Sequence, residues 1–243
     1  MDKKFLIENT KTIFYALIIA IFIRSLFLQP FYIPSSSMEP NLLVGDRLFV
    51  SKYSYGFSKH SLPFSPNFSN NRFLVKLPDR GDIIVFKTPA DSRTDYIKRL
   101  IGLPGDTLQI KNGLLYLNDK QIIRKKISES KKVNCGNEIL DVNLYEELLP
   151  NGSKYIVANR NFGTMKNTDL YTVPKEHYFF MGDNRDCSKD SRFLGSVGYV
   201  PFKNFVGKAR VIFFSNDKKI GNFFKFWKWN DSFRYERFFM KIK

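Results

Sequence analysis

The chain has 243 residues, of which 43% are hydrophobic and 16% are aromatic. This apolar content can offset the entropy of ordering a domain, which excludes a chain that is disordered throughout. A net charge of +16 indicates an anionic partner, either nucleic acid or anionic lipid.

The first predicted element is an apolar N-terminal segment. Residues 13–23 are uninterrupted apolar, and the apolar character resumes at 26–28 after Arg24 and Ser25. Residues 13–28 would span about 24 Å as a helix, so flanking residues must help to cross a hydrocarbon core of about 30 Å. We predict a transmembrane anchor over residues 12–30.

The lysines before this segment predict its orientation. Lys3, Lys4 and Lys11 place residues 1–11 in the cytoplasm by the positive-inside tendency, and the large domain outside it. A cleaved signal peptide is disfavoured, because only bulky residues stand where a small-x-small site is needed. A buried core helix is the remaining alternative for so short an apolar run.

The body of the chain predicts antiparallel β-structure. Short β-rich runs recur between Gly, Pro and Asn, and no long amphipathic helix is evident. Asn112-Gly113 and Asn118-Asp119 are typical of consecutive hairpin turns. The predicted strands are 48–51, 82–86, 107–110, 114–117, 178–181 and 209–214.

Two further regions differ in composition from this core. The polar, charged stretch 125–137 and the Asn- and Gly-rich stretch 151–169 predict an elaborated region, inserted at about residues 108–177. The tail at 216–243 alternates bulky rings with Lys and Arg, which predicts a membrane-surface segment. Base stacking, or simple packing of the rings on the domain, are the alternatives for this tail.

Cysteine and histidine are scarce. Cys135 and Cys187 form no C-x-x-C pair, so neither a disulfide framework nor a zinc site is predicted, and a single bridge between them stays open. His60 and His177 lie in unrelated settings, so we predict no metal and no cofactor.

The first candidate for chemistry is a serine cluster directly after the apolar segment. Residues 34–40 read Pro-Ser-Ser-Ser-Met-Glu-Pro, and the prolines resist continuation of a helix. A serine-rich linker is the alternative. A nucleophilic serine needs a base, and neither histidine is convincing as one.

Lysine is the other established base, and Lys98 lies among apolar residues in the run 96–106. An ordinary lysine has a pKa of about 10.4, so the role demands desolvation; a snorkelling lysine is the alternative. The turn at 182–192 mixes carboxylates, guanidinium groups and hydroxyls, and could orient a buried ammonium group or simply be solvated.

Four blocks occur together and in order: 34–38 with Gly45-Asp46, then 80–86, 96–106 and 182–192. In these blocks the chain resembles bacterial signal peptidase I. The resemblance covers about residues 12–107 and 178–215, whereas the middle and the tail match loosely. It implies a mainly β fold: an antiparallel β catalytic core at 31–107 and 178–215 with an inserted β-rich subdomain at 108–177, preceded by one N-terminal transmembrane helix.

The resemblance also implies roles for individual residues. Ser37, before Met38, corresponds to the nucleophile, and Lys98 to the general base. Ser35 matches a hydroxyl of the oxyanion hole.

The remaining matches lie around this pair. Ser188 matches a hydroxyl that positions the lysine, and Asp190 and Arg192 match a supporting ion pair. Apolar residues of the substrate pockets are matched by Phe31, Met38 and Ile97. Cys187 departs from the family, which usually has asparagine there, and this departure implies altered local hydrogen bonding or redox sensitivity.

The implied function is removal of signal peptides from secretory preproteins by cleavage after a small residue, at an Ala-x-Ala type of site. The implied partners are the preproteins and membrane lipid, not nucleic acid, and the implied location is the bacterial inner membrane with the catalytic domain on the periplasmic side. Three alternatives stay open: a membrane-tethered binding module that uses the basic aromatic tail, a nucleic-acid-binding protein, and a serine-lysine protease with other substrates.

Overall fold

The computed structural model describes residues 3–62, 65–66, 71–136, 138–160, 165–217, 220–221 and 226–242. Its first element is helix α1, Lys3–Leu26. Residues Ile7–Leu26 of this helix are long and apolar enough to cross a bilayer. The large apolar side chains at 13–23 are 48–61% exposed, so the helix contributes little to the core of the domain.

Helix α1 ends earlier than the predicted anchor. Strand β1, Leu28–Tyr32, begins two residues after Leu26, and Leu28 pairs with Ser51. The last residues of the predicted segment 12–30 therefore belong to a sheet. Strand pairing accounts for the early end of the helix, since β1 makes its backbone hydrogen bonds to the next strand.

The domain is mainly antiparallel β, as predicted. Within the described residues its largest sheet has eight strands, in the order β1-β2-β14-β3-β4-β12-β13, with β15 also paired to β14. After β1, the strands of this sheet are β2 (Asp46–Ser51), β3 (Ile83–Lys87), β4 (Asp95–Gly102), β12 (His177–Met181), β13 (Val200–Pro201), β14 (Phe205–Ser215) and β15 (Met240–Lys241).

Two smaller sheets are built from the chain between β4 and β12. A four-stranded sheet has the order β11-β5-β6-β7, and a three-stranded sheet has the order β10-β9-β8. Their strands are β5 (Thr107–Lys111), β6 (Leu114–Leu117), β7 (Lys120–Gln121), β8 (Ile123–Cys135), β9 (Glu138–Leu148), β10 (Lys154–Asn159) and β11 (Tyr171–Thr172).

The predicted hairpins are present. Asn112 and Gly113 have φ values of 51° and 77°, and Asn118 and Asp119 have 52° and 59°, so both turns use the left-handed conformation that these residues tolerate. The polar stretch from Lys125, in contrast, continues a strand. It pairs with β9 across nearly the whole length of β8, and this non-local pairing overrides a composition typical of loops.

The core follows the sheets. One apolar cluster lies between β2, β3 and the segment 33–42, and a second lies between β3, β4, β12 and β14. A third cluster joins Leu108, Leu117 and Val173 of the middle region to Ile101 and Phe179. The middle sheets are thus packed directly against the end of the large sheet that carries β4 and β12.

The described part of the tail is tied to the large sheet. Arg237 forms an ion pair with buried Asp46 and donates to the carbonyl of Asn41, while Phe233 and Phe238 pack on the ring of Phe214. Other rings stay outside: Trp227 is 65% exposed, Tyr235 53% and Phe239 75%. The rings of this tail thus divide between packing on the domain and an exposed set.

Candidate active site

The candidate site forms where three segments meet. Ser37 lies in the connection between β1 and β2, Lys98 lies in the middle of β4, and the turn at 182–192 follows β12 directly. Strands β4 and β12 are neighbours in the large sheet, so the lysine and the turn are held by paired backbone. The carbonyl of Ser37 accepts a hydrogen bond from the backbone N–H of Asn184 at 3.1 Å, which joins the serine segment to the turn.

The side chains of Ser37 and Lys98 are in direct contact. The Nζ of Lys98 lies 2.6 Å from the Oγ of Ser37, although the two residues are 61 positions apart. Lys98 Nζ also donates to the carbonyl of Ile97 at 2.9 Å. Lys98 is 3% exposed and Ser37 is 7% exposed, so the pair is shielded from water.

Burial changes the acid–base behaviour of Lys98. Desolvation disfavours its ammonium form and lowers its pKa to about 8, while Asp190 and Asp183 act in the opposite direction. Among the described residues, no carboxylate lies within ion-pair distance of Nζ. The lysine is therefore neutral in an appreciable fraction of molecules near neutral pH, which the snorkelling alternative does not predict.

Ser35 lies beside this pair. Its Oγ is 3.3 Å from the Oγ of Ser37, and Ser35 is exposed while Ser36 and Ser37 are buried. From this distance, the hydroxyl of Ser35 can donate a hydrogen bond to an oxygen atom of a ligand bound beside Ser37.

Asp190 and Arg192 form a buried ion pair in the turn. Arg192 donates to both carboxylate oxygens of Asp190 at 2.8 Å, and the backbone N–H of Gly182 donates to the same carboxylate at 2.8 Å. Burial alone would raise the pKa of Asp190, but the positive charge of Arg192 and these hydrogen bonds hold it below its ordinary value. The pair fixes the shape of the turn.

Ser188 lies in the same turn and is 6% exposed. Its Oγ is buried and makes no hydrogen bond of good geometry within the described part of the chain, although it lies near enough to Asp190 to help lower the pKa of that carboxyl. A Cβ added at Gly182 would lie 2.1 Å from this Oγ and 2.5 Å from the carbonyl of Ser37, so only glycine fits between the two segments. The structure thus brings Ser188 against the Ser37 segment without showing the hydrogen bond to Lys98 that the resemblance implies.

Arg99 supports the site, and its pairing was missed by the sequence reasoning. It donates through Nε and Nη2 to the two oxygens of Asp183 at 2.8 Å each, and its Nη1 donates to the carbonyl of Gly81 at 2.8 Å. Both partners are at most 2% exposed. The position of Arg99 could have indicated this ion pair. Neighbouring residues of a strand project to opposite faces, so Arg99 lies on the face opposite Lys98, and an arginine that is buried there needs a carboxylate partner.

Glu147 is a second residue that the sequence reasoning missed. It forms a buried ion pair with Arg185 and accepts a hydrogen bond from the hydroxyl of Tyr155 at 2.8 Å. Strands β9 and β10 are thereby connected to the turn at 182–192. Nothing in the local sequence around Glu147 distinguishes it from Glu146, whose side chain is 40% exposed, so this contact follows from the fold alone.

The cysteines, whose state the sequence left open, form a disulfide bond. Cys135 is the last residue of β8 and Cys187 lies in the turn, next to Ser188. The Sγ of Cys187 is 3.7 Å from the Oγ of Ser36, and the backbone N–H of Asn134 donates to the carboxylate of Glu39 at 3.1 Å. The long hairpin β8–β9 is therefore fastened to both segments of the site.

Phe31, Met38 and Ile97 are in one apolar cluster. Met38 is fully buried, whereas Phe31 and Ile97 are partly exposed and pack against the same cluster as Met38. Met38 follows Ser37 in the chain and Ile97 precedes Lys98, so this apolar cluster lies beside both residues. As to metals, no group of three or more His, Cys, Asp or Glu side chains suited to hold an ion occurs among the described residues.

Comparisons with known proteins extend over most of the chain. The family model described as signal peptidase, peptidase S26, matches residues 6–214. A signal peptidase I of Rickettsia rickettsii (strain Sheila Smith) is 40% identical over 249 residues, which cover 94% of this chain and 90% of the relative. A signal peptidase I of Rickettsia bellii (strain OSU 85-389) is 39% identical over 259 residues, which cover 97% of this chain and 85% of the relative.

A solved structure is also similar in sequence. The crystal structure of a signal peptidase I from Enterococcus faecalis V583 is 29% identical, covers 55% of this chain and 97% of that chain, and superposes with a TM-score of 0.32. The family match begins within α1 and ends one residue before the end of β14, so it includes every strand that carries the candidate site.

Proposed function

This chain belongs to the S26 signal peptidase family, and on that premise we propose that it cleaves signal peptides from exported preproteins with Ser37 as nucleophile and Lys98 as general base. The observation that carries the proposal is the 2.6 Å contact between Lys98 Nζ and Ser37 Oγ in a site shielded from water. A serine hydroxyl is a weak nucleophile near neutral pH, and a neutral amine within hydrogen-bond distance can accept its proton during attack.

The proposed reaction has two steps. Neutral Lys98 takes the proton of Ser37 as its Oγ attacks the scissile carbonyl, and the resulting ammonium group returns a proton to the leaving amine. Water, activated by the same lysine, then hydrolyses the acyl-enzyme and regenerates both groups. During both steps the Ser35 hydroxyl and the backbone N–H of Ser37 stabilise the negative oxygen.

The proposed specificity is for small side chains before the scissile bond, as in an Ala-x-Ala site. Phe31, Met38 and Ile97 share one apolar cluster, and Met38 is fully buried. Bulky apolar residues that are already packed leave shallow surfaces, which accept a methyl group and reject a large side chain.

The proposed location is the bacterial inner membrane. Helix α1 is long and apolar enough for a single span, and the basic residues before residue 12 support a cytoplasmic N-terminus. The catalytic domain then lies on the outer face, and both α1 and the exposed rings of the tail hold it at the bilayer surface. Confinement to the membrane raises the effective concentration of a substrate that is itself membrane-inserted.

The decisive experiment measures cleavage of a preprotein with an Ala-x-Ala site by the full-length protein in detergent. The wild type should release the mature protein, whereas Ser37→Ala and Lys98→Met should release none above background. Arginine keeps the positive charge but does not deprotonate, so Lys98→Arg should be equally inactive. Circular dichroism verifies that all variants are folded, and activity in folded Lys98→Met would exclude the proposed base.

A further inference from the structure

A cavity of about 700 Å³ lies where α1 joins the domain, and Phe31 is the one residue of its lining that the proposed reaction uses. Its wall combines Arg24 and Ser25 at the end of α1, Gln29 and Phe31 of β1, and a loop at 91–93 between β3 and β4. Neither Ser37 nor Lys98 lines it. The cavity therefore needs an explanation of its own.

The cavity is strongly basic. Two carboxylates, Asp91 and Asp95, line it together with six basic side chains, which are Arg24, Lys52, Lys59, Lys87, Arg93 and Lys203. His60 adds no charge, because burial, together with nearby Lys59, lowers its pKa to about 4. A concave wall lined by one sign of charge attracts an ion of the opposite sign.

Both carboxylates already have partners within the protein. Asp95 pairs with Lys87 at 2.8 Å. Asp91 accepts hydrogen bonds from the backbone N–H groups of Arg93 at 2.8 Å and Thr94 at 3.0 Å, so it closes its own loop. With six basic side chains and two carboxylates, the lining carries a formal net charge of +4.

Lys52 is the most deeply placed of the basic residues. It is 3% exposed, and its Nζ donates to the carbonyls of His60 and Ser61 at 3.0 and 2.8 Å. Burial, and next the positive charge of Arg24, lower its pKa to about 8, so it remains mostly protonated at neutral pH. A buried cation that is bonded to neutral carbonyls is stabilised when an anion binds beside it.

We propose that this cavity binds the phosphate group of an anionic phospholipid. The proposal rests on the membrane span proposed for α1, because Arg24 then lies at the depth of the lipid headgroups. The acyl chains would lie along the exposed apolar side chains of the helix end, where Phe22 is 55% and Phe27 49% exposed. The occupant thus joins an anionic head to an apolar body, and the surface around the cavity has both features.

Headgroup binding would also orient the catalytic domain. Phe31 and Val206 line the cavity and pack on the apolar cluster that contains Met38 and Ile97. A lipid held at this point therefore lies on the opposite side of Phe31 and Val206 from that cluster. It fixes the distance of Ser37 from the bilayer surface, where a signal peptide would emerge.

The test is native mass spectrometry of the full-length protein released from neutral detergent, with phosphatidylglycerol or phosphatidylcholine added at equal concentration. The wild type should retain phosphatidylglycerol preferentially. Each basic residue near an anionic lipid contributes about a fivefold change in affinity, so Arg93→Gln/Lys203→Gln should weaken retention roughly twenty-five-fold. Both side chains are exposed, and the variant should fold.

A matched control removes two exposed lysines from a different face. Lys120→Gln/Lys125→Gln changes the net charge by the same amount, and it should retain phosphatidylglycerol as the wild type does. Lys52→Met tests the buried cation, with circular dichroism to verify folding, and should weaken retention as well. Equal retention of the two lipids by the wild type, or equal losses in the control and in Arg93→Gln/Lys203→Gln, would overturn the proposal.

Two further arms separate this site from its alternatives. If the wild type binds inorganic phosphate and shows no preference between the two lipids, the cavity is a site for a free anion and the lipid proposal is overturned. Preprotein cleavage is measured on the same sample. Selective phosphatidylglycerol retention without cleavage would support the lipid site and overturn the proposed function. Cleavage without selective retention would support the proposed function and overturn the lipid site.

Discussion

At the scale of single residues, the proposed chemistry depends on the cost of burying Lys98. An ordinary lysine of pKa 10.5 would be about 0.03% neutral at pH 7, whereas a pKa of about 8 leaves about 10% neutral. We expect kcat/KM to fall roughly tenfold for each pH unit below 8 and to level off above it. Initial rates on a soluble peptide with an Ala-x-Ala site, measured from pH 6 to 10, test this profile.

The burial of Lys98 supports the proposed activity but lowers the stability of the fold. The pKa of Lys98 is lower in the folded than in the unfolded state, so the unfolded state binds more protons between about pH 8 and 10.5. The burial penalty is therefore complete below pH 8 and disappears above 10.5. Lys98→Met should be inactive and yet more stable at pH 7, by up to about 3 kcal/mol. Urea titrations at pH 7 and 10 should show the stability difference shrinking at the higher pH, and a constant difference would contradict a desolvated lysine.

Ser35 supplies a second prediction at this scale. Its Oγ lies 3.3 Å from that of Ser37 and its side chain is exposed, so removing it leaves no buried group unpaired. Ser35→Ala should lower kcat by about 10²–10³-fold with little change in KM or in the melting temperature, as loss of an oxyanion donor does. Ser35→Thr keeps the hydroxyl and should retain most of the activity. If the two variants lose activity equally, the hydroxyl of Ser35 has no such role.

The site residues differ in how far the sequence could predict them. The prediction of Ser37 and Lys98 depends on the resemblance of the four blocks, because a serine cluster between prolines also fits a linker and a lysine among apolar residues also fits a snorkelling side chain. Glu147 and Arg185 form their ion pair across 38 residues, and neither stands in a local pattern that identifies the other. Contacts of this kind depend on which strands become neighbours, and the sequence did not predict that the hairpin β8–β9 reaches the turn at 182–192.

At the scale of elements, the disulfide between Cys135 and Cys187 fastens that hairpin to the turn. It closes a loop with a sequence separation of 52, which in the chain-entropy model corresponds to about 4 kcal/mol of stability. Cys135→Ser/Cys187→Ser should lower the unfolding free energy by up to that amount. It should also reduce kcat, because Cys187 adjoins Ser188 and its Sγ lies 3.7 Å from the Oγ of Ser36.

Dithiothreitol gives the matched control for this prediction. Treatment of the wild type reduces the disulfide to two thiols and should reproduce both losses, whereas the double serine variant should not respond to the reagent. A wild type that keeps its stability and activity after thiol labelling has verified reduction would show that the hairpin is held by other contacts. The buried ion pair of Glu147 with Arg185 is one such contact.

At the scale of the whole molecule, the mainly antiparallel β architecture and the single apolar helix follow from the sequence, because alternation, turn residues and a long apolar run are local signals. The end of that helix did not follow. Leu28 is as apolar as the residues before it, and only its pairing with Ser51 assigns it to a strand. The sequence did not predict strand β8 for a related reason: its polar residues are held in the strand by pairing with β9 and not by burial of their side chains.

The separation between helix and domain leads to a last prediction. The apolar side chains at 13–23 face away from the domain, whereas Ser25 is 4% exposed and the carbonyl of Phe27 accepts a hydrogen bond from the backbone N–H of Lys52 at 3.1 Å. A chain that begins with Met followed by Arg24 keeps these contacts and all of β1. It should fold with a melting temperature within a few degrees of the full-length protein.

On a soluble peptide its kcat/KM should be unchanged, because Ser37 and Lys98 are held by the sheet and the turn. On a preprotein reconstituted in vesicles it should be at least tenfold slower, since the confinement that α1 provides is lost. Equal rates on the vesicle substrate would mean that the exposed rings of the tail, and not α1, bring the domain to the bilayer.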